Sequence, residues 1–249
     1  MSDLNHILYT TISSVITAVG LIILALKLKE QKHKDLVLKI SAILTVIIHY
    51  STLWTDYFSG KTPQVVTPML LPLYPCNVAM WLLVAVAFIK NKQGKVFNAL
   101  SIMTFYLGVI GGVIGIVFNE IYIGNPDLRV WDVLNGLLSH STMMFGCIYL
   151  LVGGYFKARV SNVISVVIGA LGLLVDGGIM ILLHVIFGLE PPNSMYLLER
   201  PFENIVWLNV LTIGIMVVVL VFIVTALYEQ FALKKEDRWY SRIKNHFIK

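Results

Sequence analysis

The sequence predicts an all-α, polytopic membrane protein, a bundle of seven transmembrane helices. Of its 249 residues, 57% are hydrophobic and only 13% are charged, whereas a soluble domain has roughly 25% charged residues. Seven apolar runs are long enough to cross a bilayer, and the basic residues alternate between the segments that join them. These observations indicate a single transmembrane domain over residues 1–249, with no folded domain outside the bilayer.

Each of the seven runs approaches or exceeds the about 20 mostly apolar residues that a span needs. In chain order they are Leu4–Leu26, Leu36–Tyr57, Leu71–Ile89, Phe97–Phe118, Trp131–Tyr155, Val160–Phe187 and Asn204–Leu227. The first run has no basic residue before it and no small-residue cleavage site after it, so it predicts a retained helix rather than a signal peptide. The fifth run is the least hydropathic, because its first half is polar. Its polar residues are Asp132, Asn135, Ser139, His140 and Ser141.

The connecting segments differ in charge, and this difference predicts the orientation of the chain. Fifteen lysines and arginines lie after the first, third, fifth and seventh spans. The segments on the opposite side carry only Lys61, Arg129 and Arg200. Because basic segments remain in the cytoplasm, we expect the N-terminus outside, the C-terminus in the cytoplasm, and residues 231–249 as a basic cytoplasmic tail.

The third predicted span opens with prolines and a cysteine, in the stretch Leu71–Trp81. Proline favours the first turn of a helix and disfavours its interior, so Cys76 is expected in the first turns of a buried helix. Cys76 and Cys147 both lie in apolar runs, which predicts no disulfide framework. Cys76 is either a small packing residue or a nucleophile, since a helix N-terminus or an imidazolium favours the thiolate.

His140 and Cys76 are expected at one depth in the outer half of the bilayer. From their positions in their spans, both lie roughly 7 to 14 Å below the outer edge, at about 1.5 Å per residue. His49 and His184 fall in the outer halves of other spans. Ionisable residues within a membrane are costly and usually face the bundle interior, so these residues predict an outward-facing polar site. His140 is either a hydrogen-bonded core histidine or a general base toward a thiol or hydroxyl.

Three stretches, in this order, resemble the YwaF-like family of bacterial integral membrane proteins. The vertebrate counterpart of that family is a transmembrane acyltransferase acting on ether lysophospholipids. The stretches are LPLYPCNVAMW around Cys76, LLSHSTMMFGCIYLL around His140, and GLEPPNSMYLLERP after the sixth span. In the third stretch the match is carried by Asn193, Met195, Tyr196, Leu197 and Pro201.

The resemblance implies lipid chemistry in which Cys76 takes an acyl chain as a thioester and His140 assists. Asn77 stands where the vertebrate enzyme has a histidine. The expected substrate-binding residues are His49, Asn77, His184, Asn193, Tyr196 and Arg200. The expected partners are membrane phospholipids or lysophospholipids at the cell membrane. No cofactor, no metal and no nucleic-acid partner is expected. The outer segment Gly188–Glu203 is expected either to cover the site as a lid or to lie along the membrane interface.

Other functions remain open at the level of sequence. A lipid-ester hydrolase would use the same cysteine and histidine. A small-molecule transporter or receptor-like protein would bind a ligand in the outward cavity without catalysis, although the seventh span has no lysine for a retinal Schiff base. A cofactor protein would hold a metal or haem on His49, His140 and His184, which share no close ligand spacing.

Overall fold

The computed structural model describes residues 2–58, 71–117, 131–201 and 204–242, and all regular structure in these ranges is helical. The α-helices are α1 Ser2–Lys27, α2 Gln31–Phe58, α3 Pro75–Phe88, α4 Lys95–Val117, α5 Trp131–Val152, α6 Val163–Ile186 and α7 Val210–Ala232. The chain forms two compact units, residues 1–155 and residues 156–249. The predicted all-α fold is confirmed over the described residues.

Six of these helices are long and apolar enough to cross a membrane, and the exception is α3. Helix α3 has 14 residues. At about 1.5 Å per residue it reaches roughly 21 Å, less than the hydrocarbon thickness of about 30 Å. The predicted third span began at Leu71, but the helix begins at Pro75. The chain is therefore a multi-pass membrane protein, and the seventh span and the orientation of the termini stay predictions.

Several residues used in the sequence analysis lie outside the described residues. These are Lys61, Phe118, Arg129, Glu203 and residues 243–249 of the predicted tail, and the side chains of Tyr57 and Asp132.

Helix α5 is the centre of the first unit and contacts α1, α2, α3 and α4. It contains the least hydropathic of the predicted spans, and its polar side chains bond to neighbouring helices. Asn135 Nδ2 donates to Ser51 Oγ of α2 at 2.6 Å. The Ser141 hydroxyl meets the hydroxyls of Tyr9 and Ser13 in α1, each at 3.0 Å. Polar groups join helices inside a membrane by finding partners there, which explains why the polar helix is the central one.

Lys92, in the loop between α3 and α4, caps the C-terminal end of α3. Its ammonium group donates to the carbonyls of Val86 at 3.0 Å and Ala87 at 3.1 Å. The same group lies 5.2 Å from the centre of the Phe97 ring. Burial lowers the pKa of Lys92, although the nearby Asp35 carboxylate opposes that shift. The lysine thus supplies donors to carbonyls that have no partner inside the helix.

Replacing Lys92 by alanine is expected to destabilise the first unit by about 1–3 kcal/mol, because charged hydrogen bonds and a cation–π contact are lost. The measurement is thermal unfolding of the purified protein in detergent. Lys90→Ala removes an exposed lysine of the same loop and is the control, since such surface changes cost within about 0.5 kcal/mol. Equal melting temperatures for the two variants would contradict the capping role.

Glu229, near the end of α7, organises the second unit. Its carboxylate is fully buried. Oε1 accepts from the backbone N–H of Val160 at 2.7 Å and from Arg242 Nη2 at 2.8 Å. Oε2 accepts from the backbone N–H of Trp239 at 2.6 Å. One side chain therefore joins the segment before α6 and the segment after α7 to the end of α7.

Candidate functional site

Cys76 and His140 line the same small cavity in the first unit. Its volume is about 20 Å³, and a cavity needs about 10–15 Å³ to hold one water molecule. The full lining is Thr45, His49, Cys76, Asn77, Met80, Ser139, His140 and Met143. The structure thus brings together four of the predicted site residues, contributed by α2, α3 and α5.

The start of α3 determines where Cys76 lies. Pro75 is the first helical residue and Tyr74 before it is extended, as expected because proline at this position loses no helical hydrogen bond. Cys76 follows as the second residue, so its predicted position in the first turn is correct. Its Sγ donates to Asn77 Oδ1 at 3.6 Å. Asn77 Nδ2 in turn donates to His49 Nε2 at 3.4 Å, which links the thiol to an imidazole of α2.

Glycines of α4 lie against both Cys76 and His140. A Cβ atom added at Gly115 would lie 2.6 Å from Cε1 and 2.7 Å from Nε2 of His140, so the imidazole lies directly over this glycine. A Cβ atom added at Gly111 would lie 3.7 Å from Cα of Cys76. Gly111 and Gly115 are one helical turn apart and share a face of α4. At Gly115 the missing side chain lets His140 of α5 lie against the α4 backbone, whereas at Gly111 α3 is in ordinary contact.

The thiol and the imidazole meet across the cavity rather than directly. No hydrogen bond joins Cys76 to His140 in the described part of the chain, and the thiol donates to Asn77 instead. The cavity between them has room for one water molecule or one small group of a substrate. A general base acts within hydrogen-bond reach or through one water, and resting sites are often looser. The arrangement is therefore suited to passing a proton between sulfur and imidazole through a bound oxygen.

Four predicted substrate-binding residues, His184, Asn193, Tyr196 and Arg200, belong to the second unit. His184 is buried, and its Nδ1 donates to the carbonyl of Met180, one turn earlier in α6, at 2.8 Å. Tyr196 and Arg200 are exposed. The contacts of these residues with a substrate stay predictions.

The loop after α6 folds onto its own helix. Asn193 Oδ1 accepts from the backbone N–H groups of residues 198 and 199, at 3.1 and 3.0 Å. Met195 is buried, and a Cβ atom added at Gly177 of α6 would lie 2.9 Å from its Cγ. Met195 and Tyr196 have φ angles of 52° and 56°, which are uncommon for residues other than glycine. Asn193 thus closes a tight loop, whose role as a lid stays a prediction.

The histidines proposed as cofactor ligands are divided between the units. His49 and His140 share the cavity, and His184 lies in α6 of the second unit. Over the described ranges, no three His, Cys, Asp or Glu side chains form a group that could hold a metal ion.

Sequence reasoning missed the glycine face of α4 and the hydroxyl of Thr45, and it named Ser139 as a polar residue of the fifth span without giving it a role in the site. A signal for the glycines was present, because Gly111 and Gly115 repeat the small-xxx-small spacing of close helix pairs. Nothing in the sequence distinguishes Thr45 or Ser139 from other hydroxyl residues of the same spans.

The fold and the cavity define a class, that of multi-pass helical membrane proteins with a cysteine and a histidine lining one cavity inside the bundle. The model of the TMEM164 family matches residues 1–228. The chain therefore belongs to the TMEM164 family. No curated protein matches the chain, and no solved structure matches it.

Proposed function

We propose that this protein is a membrane-embedded lipid acyltransferase in which Cys76 is the nucleophile and His140 is the base. The observation that carries the proposal is the shared cavity of about 20 Å³, to which two separate helices bring a thiol and an imidazole. A nucleophile and a base in one site are the elements of covalent catalysis. The resemblance to the YwaF-like branch and its acyltransferase counterpart supports the same activity.

The first half-reaction transfers an acyl chain from a phospholipid to sulfur. The proton of the Cys76 thiol passes to His140 through the oxygen bound in the cavity, while the sulfur attacks the ester carbonyl carbon. The ester C–O bond then breaks, and the departing lysophospholipid oxygen takes the proton from His140. The product is a thioester on Cys76. A base in the same cavity is needed, because an isolated thiolate is costly in an apolar environment.

The second half-reaction transfers the acyl chain to an acceptor. The hydroxyl of an acceptor lysophospholipid gives its proton to His140 and attacks the thioester carbonyl. The C–S bond breaks, and the sulfur recovers the proton from His140. If water is the acceptor, the same steps make a lipid-ester hydrolase. Asn77 and His49 line the cavity beside the thiol, and we assign them contacts with the reacting ester.

The proposal includes seven spans, the N-terminus outside, and a site in the outer leaflet of the cell membrane. Residues 71–74 before α3 are not helical, and the backbone N–H of Leu73 donates to the carbonyl of Leu71 at 2.8 Å. Together with α3 they would form the third span. Non-helical backbone is tolerated at membrane depth where protein covers it, and Leu73 in this segment is only 2% exposed. Arg200 would then meet a lipid phosphate near the outer surface.

The test is acyl labelling of the full chain in phospholipid vesicles that contain an alkyne-tagged fatty-acyl phosphatidylcholine. We expect wild-type protein to gain a label that neutral hydroxylamine removes, as it removes a thioester, and Cys76→Ala to gain none. Cys147→Ala is the matched control, because Cys147 is a buried cysteine that does not line the cavity. It should label like wild type.

Equal labelling of wild type and Cys76→Ala would reject the acyltransferase and the hydrolase together. The transporter or receptor-like alternative makes a different prediction. It expects ligand binding, or counterflow of a small molecule in proteoliposomes, that persists in Cys76→Ala.

A further inference from the structure

A second and much larger cavity lies in the first unit, between α1, α2 and α5. Its volume is about 510 Å³, within the range of roughly 300–1,000 Å³ that small-molecule sites occupy. Its lining includes Leu8, Ile12 and Ile16 of α1, Leu44 of α2 and Phe145 of α5. We propose that this cavity, a groove between α1, α2 and α5, is a binding site for one acyl chain of a membrane phospholipid.

The chemistry of the wall selects a hydrocarbon occupant. Three hydroxyls in the wall donate within the protein: Ser13 to Ser141 at 3.0 Å, Ser41 to the carbonyl of Leu38 at 2.9 Å, and Thr142 to that of Leu138 at 2.9 Å. These groups are therefore engaged before any ligand arrives. Asn5 and Thr17 lie at the two ends of the α1 wall, and most of the remaining lining is apolar. Burial of CH₂ groups therefore supplies the binding, at about 0.8 kcal/mol for each.

The length of the groove also favours a chain over a compact molecule. On α1 the lining runs from Asn5 to Thr17. At 1.5 Å per residue this stretch is about 18 Å long. It lies within a helix that is long and apolar enough to cross the membrane. An extended hydrocarbon tail that enters from the bilayer fits a wall of this length and composition.

Residues that line the groove are close in sequence to residues that line the cavity containing Cys76. On α2, Ser41 lines the groove and Thr45 lines the cavity, one helical turn away. On α5, Ser141 lines the groove and His140 lines the cavity. A cavity of about 20 Å³ holds only the reacting group of a lipid, so the rest of the acyl chain needs a separate binding site. This connection to catalysis rests on the proposed function, whereas the binding of the chain does not.

The experiment uses the full chain in vesicles of palmitoyl-oleoyl phosphatidylcholine doped with a phosphatidylcholine that carries a diazirine in its acyl chain. After irradiation, mass spectrometry maps the cross-linked residues. We expect cross-links on the groove residues of α1 and α5. Ile16→Trp, which fills the groove, should reduce them about tenfold, the change that roughly 1.4 kcal/mol of lost binding gives.

Val15→Trp is the matched control, because Val15 is an exposed neighbour on α1 that does not line the groove. It should leave the groove cross-links unchanged. Leu44→Trp fills the groove from α2 and should repeat the effect of Ile16→Trp, which separates filling from a folding defect of α1. Two results would overturn the proposal: cross-links spread evenly over all lipid-exposed faces, or an equal loss of cross-links in Val15→Trp and Ile16→Trp. Either result would mean that only ordinary surrounding lipid contacts the groove.

The same cross-linking experiment on Cys76→Ala distinguishes the acyl-chain site from the proposed catalytic function. Cross-linking in the groove should persist in Cys76→Ala, since the chain binds before any bond to sulfur forms. Groove cross-links without hydroxylamine-sensitive labelling of wild type would reject only the acyltransferase. Labelling of Cys76 without groove cross-links would reject only the acyl-chain site.

Discussion

Replacing Gly115 by alanine is expected to slow acyl transfer by at least about 100-fold, the lower end of what a general base contributes. The added Cβ would lie 2.6 Å from Cε1 and 2.7 Å from Nε2 of His140, closer than a side chain can approach. Gly115 lies within a helix, and the imidazole is the end of a side chain. The ring therefore turns away, and the base leaves its place beside the cavity while the helices stay packed.

Gly111→Ala is the matched control for this prediction. It adds the same methyl group one turn earlier on α4, where the nearest atom, Cα of Cys76, would be 3.7 Å away in ordinary contact. Its acyl labelling should remain close to that of wild type. Both variants are measured for labelling rate and for melting temperature in detergent. A specific loss of rate in Gly115→Ala, at a melting temperature near that of Gly111→Ala, assigns the effect to the imidazole.

A double variant, His140→Ala with Gly115→Ala, tests whether the loss of rate is caused by displacement of the imidazole. In His140→Ala the ring is absent, so adding Gly115→Ala should cause no further loss of labelling. The double variant should also be more stable than the sum of the two single changes predicts, because residues in contact do not act additively. If Gly115→Ala labels as fast as Gly111→Ala, then His140 is not the base at this position.

The positions of most helices could be predicted, because apolar runs of span length leave the chain few other structures in a bilayer. The ends could not be predicted from hydropathy. Tyr74 is apolar enough to extend the third run, but the residue before a proline avoids the helical conformation, and α3 starts only at Pro75. The start of α7 is similar, because Asn209 and Thr212 form a capping box there, well after the predicted start at Asn204.

The residues of the candidate site could be predicted individually from the sequence, but their arrangement around one cavity could not. Cys76 and His140 are conspicuous in a sequence because reactive and ionisable groups are rare in apolar spans. Their shared cavity depends on how α3 and α5 pack on α4. At Gly108, Gly112 and Gly115 of α4, an added Cβ would lie 3.0 Å or less from a side chain of α5. A glycine spacing indicates a close helix contact but does not name the helix that makes it. The pairing therefore needs the three-dimensional structure.

The sequence alone indicates no role for Glu229, although a carboxylate at the end of an apolar run is itself unusual. The sequence predicts a basic tail after α7, and lysine and arginine there indicate only attraction to the cytoplasmic side. In the second unit, however, Arg242 from this segment pairs with Glu229 at 2.8 Å. The buried carboxylate, rather than the net charge of the tail, determines how the segment after α7 is held.

Replacing Glu229 by alanine is therefore expected to destabilise the second unit by about 3–5 kcal/mol, the range for breaking a buried ion pair. The backbone N–H groups of Val160 and Trp239 lose their acceptor together with Arg242. Arg242→Ala should cost less, because its side chain is 39% exposed and the carboxylate keeps both backbone donors. Glu236→Ala, an exposed carboxylate of the same segment, is the control and should unfold like wild type.

Limited trypsin digestion tests locally whether Glu229 holds the segment after α7. The sites after Lys234, Lys235 and Arg238 lie in the segment that Glu229 holds to α7, and a protease cleaves such sites as the segment opens. A local loss of about 1.4 kcal/mol raises the open population tenfold, so cleavage in Glu229→Ala should be faster by at least that factor. Because Arg242→Ala keeps two of the three contacts, its rate should lie between Glu229→Ala and Glu236→Ala. If all three variants are cut at one rate, the carboxylate does not hold the segment, and the tail is kept in place by other contacts.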